Sequence, residues 1–403
     1  MKGNAFNDIW KIEFADDAER ERLISAASDE PVAKLLEELD IKGQALSVDE
    51  LIEFVLSEKY YRGENWNLKF THMLYYFLKA FLPKGLTRHL RNVYQKNVKV
   101  EDPYRWPLDE RYVGFIYSLA RLIHLEASRP LRYLSFWPNG KRFAFILTHD
   151  VETEEGFDNI LRIIDAEQSF GFSSSFNIVP EKYRIDPGVI REIKNRGFEI
   201  GIHGLKHDGK LFLSRKIFLK RAAHINNYLL KYAARGFRAP LTHRNPKWLK
   251  EINAFYDSSF FDTDPFEPLA GGTMSIWPFF IGDMVELPYT LMQDHTLFEV
   301  MGQKSPSLWI EKIEFIQMYR GMALLNTHPD YLKNNSRLGI YREFLETISE
   351  RSDYWHALPF EAARWWSNRS GVTPGDESEK PVNGAWADGA VWQSLDDVFR
   401  SVA

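Results

Sequence analysis

The sequence predicts an α/β fold: a distorted (β/α) barrel of about seven or eight strands, preceded by a mainly helical N-terminal region. Two observations carry that expectation. Between residues 141 and 366, short β-rich runs alternate with helical stretches, the order that pairs strands in parallel through crossover helices. Before residue 139, apolar residues recur at helical spacing instead. Three segments follow: a helical N-terminal region at 1–138, the barrel at 139–366, and a linker with a C-terminal tail at 367–403.

In the first segment, Ser47-Val48-Asp49-Glu50 has capping-box spacing ahead of Leu51, Ile52, Phe54, Val55 and Leu56. Phe70 to Val93 is a long helical candidate interrupted at Pro83-Lys84-Gly85, and Arg111 to Leu125 is another. In the barrel, strands are expected at Phe143 to Thr148, Ser173 to Val179, Phe198 to His203 and Gly236 to Ala239. Four more follow at Phe255 to Ser258, Met284 to Pro288, Met322 to Thr327 and Tyr354 to Leu358. Helices between them are read at Asp158 to Phe170, Gly188 to Arg196 and Phe212 to Ala234. Trp386 to Val402 is too short for a domain but long enough to dock as a strand or helix.

Composition narrows the function classes. Hydrophobic residues at 44% and charged residues at 27% are those of a globular chain and exclude disorder for its bulk. A net charge of −5 excludes a nucleic-acid binder that relies on whole-chain charge. With no cysteine, a metal site must draw on His, Asp or Glu. No secretory leader and no run of about 18 apolar residues is visible, so a cytoplasmic protein is expected. The stretch from Tyr75 to Lys99 mixes aromatic with basic residues. It suits packing on the barrel or peripheral contact with the inner membrane.

Catalytic residues of a parallel barrel sit at the C-terminal ends of its strands. Five such ends here carry acids, bases or ligands: Thr148-His149-Asp150-Val151-Glu152, His203 to His207, Arg238-Ala239-Pro240, Asp257-Ser258-Ser259 and Thr327-His328. His203 and His207 are spaced i, i+4, which on a helical turn puts two imidazoles on one face for a divalent metal. Asp150 and Glu152 are spaced i, i+2, so in an extended segment both carboxylates point one way. One carboxylate would bind metal while the other acts as a base. Arg238 beside a carboxylate would hold it ionised and oriented. His328 is placed as a general acid, and Asp257 as an acid that bonds an imidazole. His149 flanks Asp150 and suits either strand packing or the site lining. Asp294 and His295, after the strand at Met284 to Pro288, are candidates for lining the site.

The order of these motifs resembles the polysaccharide deacetylase (NodB-homology) family, the metal-dependent carbohydrate esterases. An acidic pair falls on Asp150 and Glu152, H-x-x-x-H on His203 and His207, and R-x-P on Arg238 and Pro240. The family's Y-D-S-S context falls on Tyr256 to Ser259, and its L-x-H on Asn326-Thr327-His328. The resemblance covers about residues 141 to 366 and implies hydrolysis of an N-acetyl group from an amino sugar. It makes Asp150 the general base, and Glu152, His203 and His207 the ligands of one divalent metal ion. That ion is Zn2+ first, with Co2+, Ni2+ or Mn2+ served by the same donors. It makes His328 the acid, Arg238 the orienting residue of Asp150, and Asp257 the residue that tunes His328. Substrate contacts would come from His149, Pro240, Asp294 and His295. The implied partner is a carbohydrate, lipid-linked in surface-polysaccharide or glycolipid biosynthesis.

The chain departs from the family pattern at Glu152, where Asp is usual. Three readings stand there: Glu152 binds the metal; Asp150 binds it with Glu152 behind; or metal affinity is gone and the chain is a non-catalytic sugar-binding relative. A C–N hydrolase acting on small cyclic amides is the alternative enzyme reading.

Overall fold

The computed structural model describes residues 5–62, 66, 105–371 and 389–400. The long candidate at Phe70 to Val93 and the basic stretch from Tyr75 lie outside them, as does most of the linker. Eleven strands are present among the described residues. They are β1 (Arg132–Leu134), β2 (Phe143–Val151), β3 (Ser175–Ile178), β4 (Glu199–His203), β5 (Gly236–Arg238), β6 (Tyr256–Asp257), β7 (Phe279–Ile281), β8 (Met284–Glu286), β9 (Met322–Thr327), β10 (Tyr354–His356) and β11 (Trp392–Ser394).

Nine of them form one sheet in the order β10-β2-β3-β4-β5-β6-β8-β7, with β9 on β2 as well. All pairs are parallel except β7 with β8. β2 is long enough to serve three neighbours. β10 pairs with Phe143 to Phe145, β3 with Thr148 to Val151, and β9 with Ala144 to His149. Across the gap from β8 to β9, the Thr290 and Leu291 N–H groups donate to the Leu324 carbonyl, and Met322 N–H donates to Ile276. The sheet thus curls into the distorted (β/α) barrel expected from the alternation. All nine residues of β2 are buried, as expected of a parallel strand covered on both faces.

Helices at Glu154–Asp158, Ile160–Gln168, Pro187–Asn195, Arg215–Lys231, Ser307–Met318 and Asn335–Ser349 cover the outside of the sheet. Ser214 and Asp186 cap two of them by accepting backbone N–H groups. In the N-terminal region, Ser47 and Glu50 form the expected capping box at the start of the helix Val48–Leu56. The helix Asp17–Glu38 packs on Arg111–Glu126, and the latter meets Trp277 through an aromatic seam that includes Tyr112 and Tyr117. Trp10 contacts Tyr117, Tyr133 and Phe136 edge-on, and Phe136 stacks on Trp277. Behind the seam, Arg244 and Glu58 form a fully buried two-point ion pair, both bonds at 2.8 Å. The C-terminal tail docks twice: β11 pairs antiparallel with β1, and the helix Leu395–Arg400 follows. No helix among the described residues is long and apolar enough to cross a membrane.

Candidate active site

The C-terminal ends of β2, β4, β5 and β9 converge on one point. Glu152, just past β2, places Oε1 2.8 Å from His207 Nε2 and 3.9 Å from His203 Nε2. Among the described residues, these three offer donor atoms that all lie within 4.8 Å of one another. His203 closes β4, and its Nδ1 faces the Arg238 carbonyl at 3.2 Å. A carbonyl only accepts, so in the neutral ring Nδ1 carries the proton and Nε2 keeps its lone pair. The Nε2 atoms of His203 and His207 are both buried without a well-directed hydrogen bond. Two such nitrogens beside a carboxylate oxygen fit a divalent cation, which would satisfy all three.

The two histidines meet by a different route from the helical turn expected of their spacing. The chain after β4 is irregular, and the next helix starts only at Arg215. Gly204 (φ 61°) and His207 (φ 51°) are both left-handed, which breaks any helix and folds the loop back so that the rings lie 5.1 Å apart. A Cβ on Gly204 would stand 2.4 Å from Pro240 Cγ. Pro240 is therefore buried against this turn and shapes it.

Asp150 points to the same side as Glu152, as i, i+2 spacing in a strand requires. Its Oδ2 lies 3.9 Å from His203 Nε2, yet it falls outside the three-residue cluster. Arg238 Nη1 lies 3.4 Å from Oδ1. The Arg238 guanidinium is itself fixed by Nε and Nη2, which donate to Ser258 O and Oγ at 2.7 Å, and by Nη1, which donates to Thr148 Oγ1. Asn177 and Asn326 also donate to Asp150, one to each oxygen. Burial alone would push this carboxyl up, but the His203, Arg238 and His328 charges and the Asn177 bond hold it down at about 2. Glu152 is also held well below the usual carboxylate range. Its burial is outweighed by the His207 charge and by bonds from the three histidines.

His328 follows β9, with Nε2 3.6 Å from Glu152 Oε1. Its Nδ1 is 2.6 Å from Asp294 Oδ1, and its backbone N–H donates to Asp294 Oδ2. Burial would lower its pKa, but Asp294 and then Glu152 raise it well above the ordinary imidazole value.

Several expected roles change. Asp294 is fully buried and both its oxygens are occupied, so it partners His328 and does not line the substrate path. Asp257, expected in that partnership, sits beside Glu286 on the adjacent β8. It accepts from Ser259 Oγ at 2.6 Å. Burial pushes Asp257 up to about 6 and Glu286 well above the carboxylate range, so the two share a proton. His149 is fully buried on the outer face of β2. It bonds Thr327 Oγ1 and Glu167 and stacks on Phe176. Strand alternation puts Thr148 and Asp150 on one face and His149 on the other, so His149 packs against the helix Ile160–Gln168 and does not contact substrate. His295 is half-buried near the site, its ring 5.8 Å from Tyr331, which in turn lies 5.3 Å from His328. Asn177, which grips Asp150, has no local signal in the sequence. Only the pairing of β2 with β3 brings it there.

No protein-family model and no curated protein matches the chain. Among solved structures it is similar to a protein of Mycobacterium smegmatis described as a polysaccharide deacetylase, at 24% identity and a TM-score of 0.49 over 59% of this chain and 94% of that one. It is also similar to Puue allantoinase, at 15% identity and a TM-score of 0.47 over 62% and 97%. A third is a protein of Pseudomonas aeruginosa PAO1 described as a polysaccharide deacetylase, at 14% identity and a TM-score of 0.46 over 59% and 95%. At such values these likenesses carry no argument about activity. The chain is similar to solved polysaccharide deacetylases, and its own site geometry has to speak for its chemistry.

Proposed function

We propose that the chain is a divalent-metal amide hydrolase that removes N-acetyl groups from an amino sugar. The observation that carries this reading is the cluster of the Glu152 carboxylate with two buried imidazole Nε2 atoms that converge on it, beside an ionised Asp150 and a His328–Asp294 pair. Glu152, His203 and His207 would hold the ion, Zn2+ first. Bound there, a divalent cation supplies Lewis acidity toward an amide carbonyl. The remaining work falls to the chain. Asp150, ionised at neutral pH, takes the proton that the attacking water gives up. Arg238 and two asparagine amides keep its carboxylate in one orientation. Asp294 engages Nδ1 of His328, so that ring holds a proton at Nε2 for the departing nitrogen. Protonation there lets the C–N bond break, and acetate and a free amine leave. Each proton transfer is worth roughly 10²–10⁴-fold in rate.

The sugar substrate is supported by the order of the five strand-end motifs. A lipid-linked carbohydrate handled at the cytoplasmic face of the inner membrane, in surface-polysaccharide or glycolipid synthesis, is the setting we propose. The test is elemental mass spectrometry after dialysis against zinc and removal of the excess, followed by acetate release from a panel of N-acetylated oligosaccharides. About one ion per chain, as expected for a two-histidine, one-carboxylate site, together with acetate release, is the expected result. A chain that retains no metal would overturn the reading.

A further inference from the structure

Two carboxylates, the buried Asp150 and the partly exposed Glu152, reach toward His203 at the same distance. Glu152 Oε1 and Asp150 Oδ2 each lie 3.9 Å from its Nε2. On distance to that ring alone, either could complete the ligand set. What separates them is how each is held. Among the described residues, Glu152 has its close contacts with the histidines, whereas each oxygen of Asp150 accepts an amide N–H from a neighbouring strand. Asn177 Nδ2 donates to Oδ1 at 2.9 Å and Asn326 Nδ2 to Oδ2 at 3.0 Å.

Both amides are themselves fixed. Asp150, Asn177 and Gly201 form one row across β2, β3 and β4. Gly201 leaves the space in which the Asn177 amide lies; a Cβ there would stand 2.0 Å from Asn177 Oδ1. Asn326 is oriented at both ends. Its Oδ1 faces Thr148 Oγ1 at 3.2 Å, and its Nδ2 also donates to Gln293 Oε1 at 3.1 Å. Gln293 cannot turn over, because its Nε2 donates to the Glu267 carboxylate. The polarity of this chain, from Glu267 through Gln293 to Asn326, leaves Asn326 only its donor side for Asp150.

We infer that Asn177 and Asn326 are positioning residues that hold Asp150 out of the metal's coordination shell, so that Glu152 ligates and Asp150 stays free as the base. The inference rests on the metal-site reading above. Charge-assisted bonds to both oxygens, with Arg238 Nη1 3.4 Å from Oδ1, fix the carboxylate rotamer, and losing either amide loosens that hold and lets the carboxylate lean onto the ion. A released Asp150 would become an additional ligand and would no longer be a base.

The experiment loads the full chain with Co2+ and records the visible absorption of the bound ion, which weakens and shifts as coordination number rises. Three variants are compared with wild type: Asn177→Ala, Asn326→Leu, and Gly201→Ala, which displaces the Asn177 amide while keeping the residue. Thermal melts identify any variant that fails to fold, and the remaining variants still decide the question. The expected result is about one Co2+ per chain throughout, with weaker, shifted bands in the variants. A kcat lower by roughly 10–100-fold, the usual cost of losing a partner of this kind, at little change in KM should accompany it. Variant spectra identical to wild type would overturn the clamp and leave the metal site standing. Absence of Co2+ uptake by the wild type would overturn both.

Discussion

Two pairs of buried carboxyls in the same sheet behave in opposite ways. Asp150 and Glu152, at the end of β2, are both held below the ordinary carboxylate range. Asp257 and Glu286, opposite each other on β6 and β8, are both raised. Burial is the largest influence on all four and pushes all four upward. The difference lies in what surrounds them. The first pair faces His203, His207, His328 and Arg238, enough positive charge and hydrogen bonding to outweigh desolvation. The second pair has Ser259, backbone N–H groups and a more distant Arg238, and it settles by sharing a proton. Burial is therefore no guide to role in this barrel, whereas the count of cationic neighbours is.

The largest test of that contrast is a matched pair of substitutions. Glu152→Gln should abolish tight metal binding and lower turnover by roughly 10³-fold, the several kcal/mol that a Lewis acid supplies. Glu286→Gln should keep about one ion per chain, as a site of this kind binds, and most of the activity. Elemental analysis of the two proteins side by side checks this, and equal metal loss in both would erase the distinction. The next effect concerns the two aspartates that compete for a role at His328. Asp294→Asn should lower kcat by roughly 10²-fold, the scale of a general-acid contribution, because the imidazole loses the charge that raises its pKa. Asp257→Asn should change kcat far less than tenfold on the same scale. A larger loss in Asp257→Asn than in Asp294→Asn would restore the assignment that the Tyr256 to Ser259 motif suggests.

That reversal shows what the sequence could and could not disclose. Eight of the nine sheet strands were legible because each is an apolar run bounded by turn residues, a local fact that periodicity reports; β7, a three-residue antiparallel strand, was not. Asp150, Glu152, His203, His207, Arg238 and His328 were legible for a related reason, since each lies at or just beyond a strand end. Asp294 was visible only as a polar residue after β8. Its match to His328 depends on how the loop after Leu287 packs under β9, a contact between residues 34 apart. Asn177 lies inside a strand and looks like any polar interruption, and its meaning comes from the register of β2 on β3. The mispairing of Asp257 has the same origin, because Glu286 becomes its neighbour only through the pairing of β6 with β8. The helical turn expected for His203 and His207 failed on a backbone fact, the left-handed φ of Gly204 and His207, which spacing alone does not reveal.

A fifth carboxyl, half-buried, extends the comparison away from the site. Glu199 opens β4. It accepts from Tyr256 O–H at 2.8 Å and from Phe360 N–H at 3.1 Å, with no cation bonded to it. Burial pushes it up to about 7 against those two bonds, from an ordinary 4.5. The folded protein therefore binds a proton that the unfolded chain has released between these values, and stability falls as pH rises through that window. The full penalty, at most roughly 3 kcal/mol at 1.36 kcal/mol per unit, is in place above pH about 7. Glu199→Gln carries no such loss. Its melting temperature should exceed that of wild type at pH 8 and match it near pH 4, with turnover unchanged. A difference that is constant across pH would mean that Glu199 acts by packing alone.

The smallest effect should come from Asp257→Asn in the same pH scan. Asp257 is raised from 3.8 to about 6, so its contribution also declines with rising pH, over a window that closes about one unit lower than that of Glu199. The substitution removes only one of two carboxyls that share a proton. In wild type, Glu286 keeps the shared proton and Asp257 bears the charge above pH about 6. With Asn in place, no charge need be buried until Glu286 itself ionises. The variant should gain on wild type between pH 4 and pH 6 by a few degrees at most, and the gain should then stay level. Glu286→Gln replaces the carboxyl O–H that favours the ionised form of Asp257 with a weaker amide donor, so Asp257 should stay raised by burial. Its stability should accordingly decline over a pH range no lower than that of wild type. If both variants instead follow the wild-type curve, the two carboxyls titrate independently, and the contrast with Asp150 and Glu152 would have to rest on hydrogen bonding instead of charge.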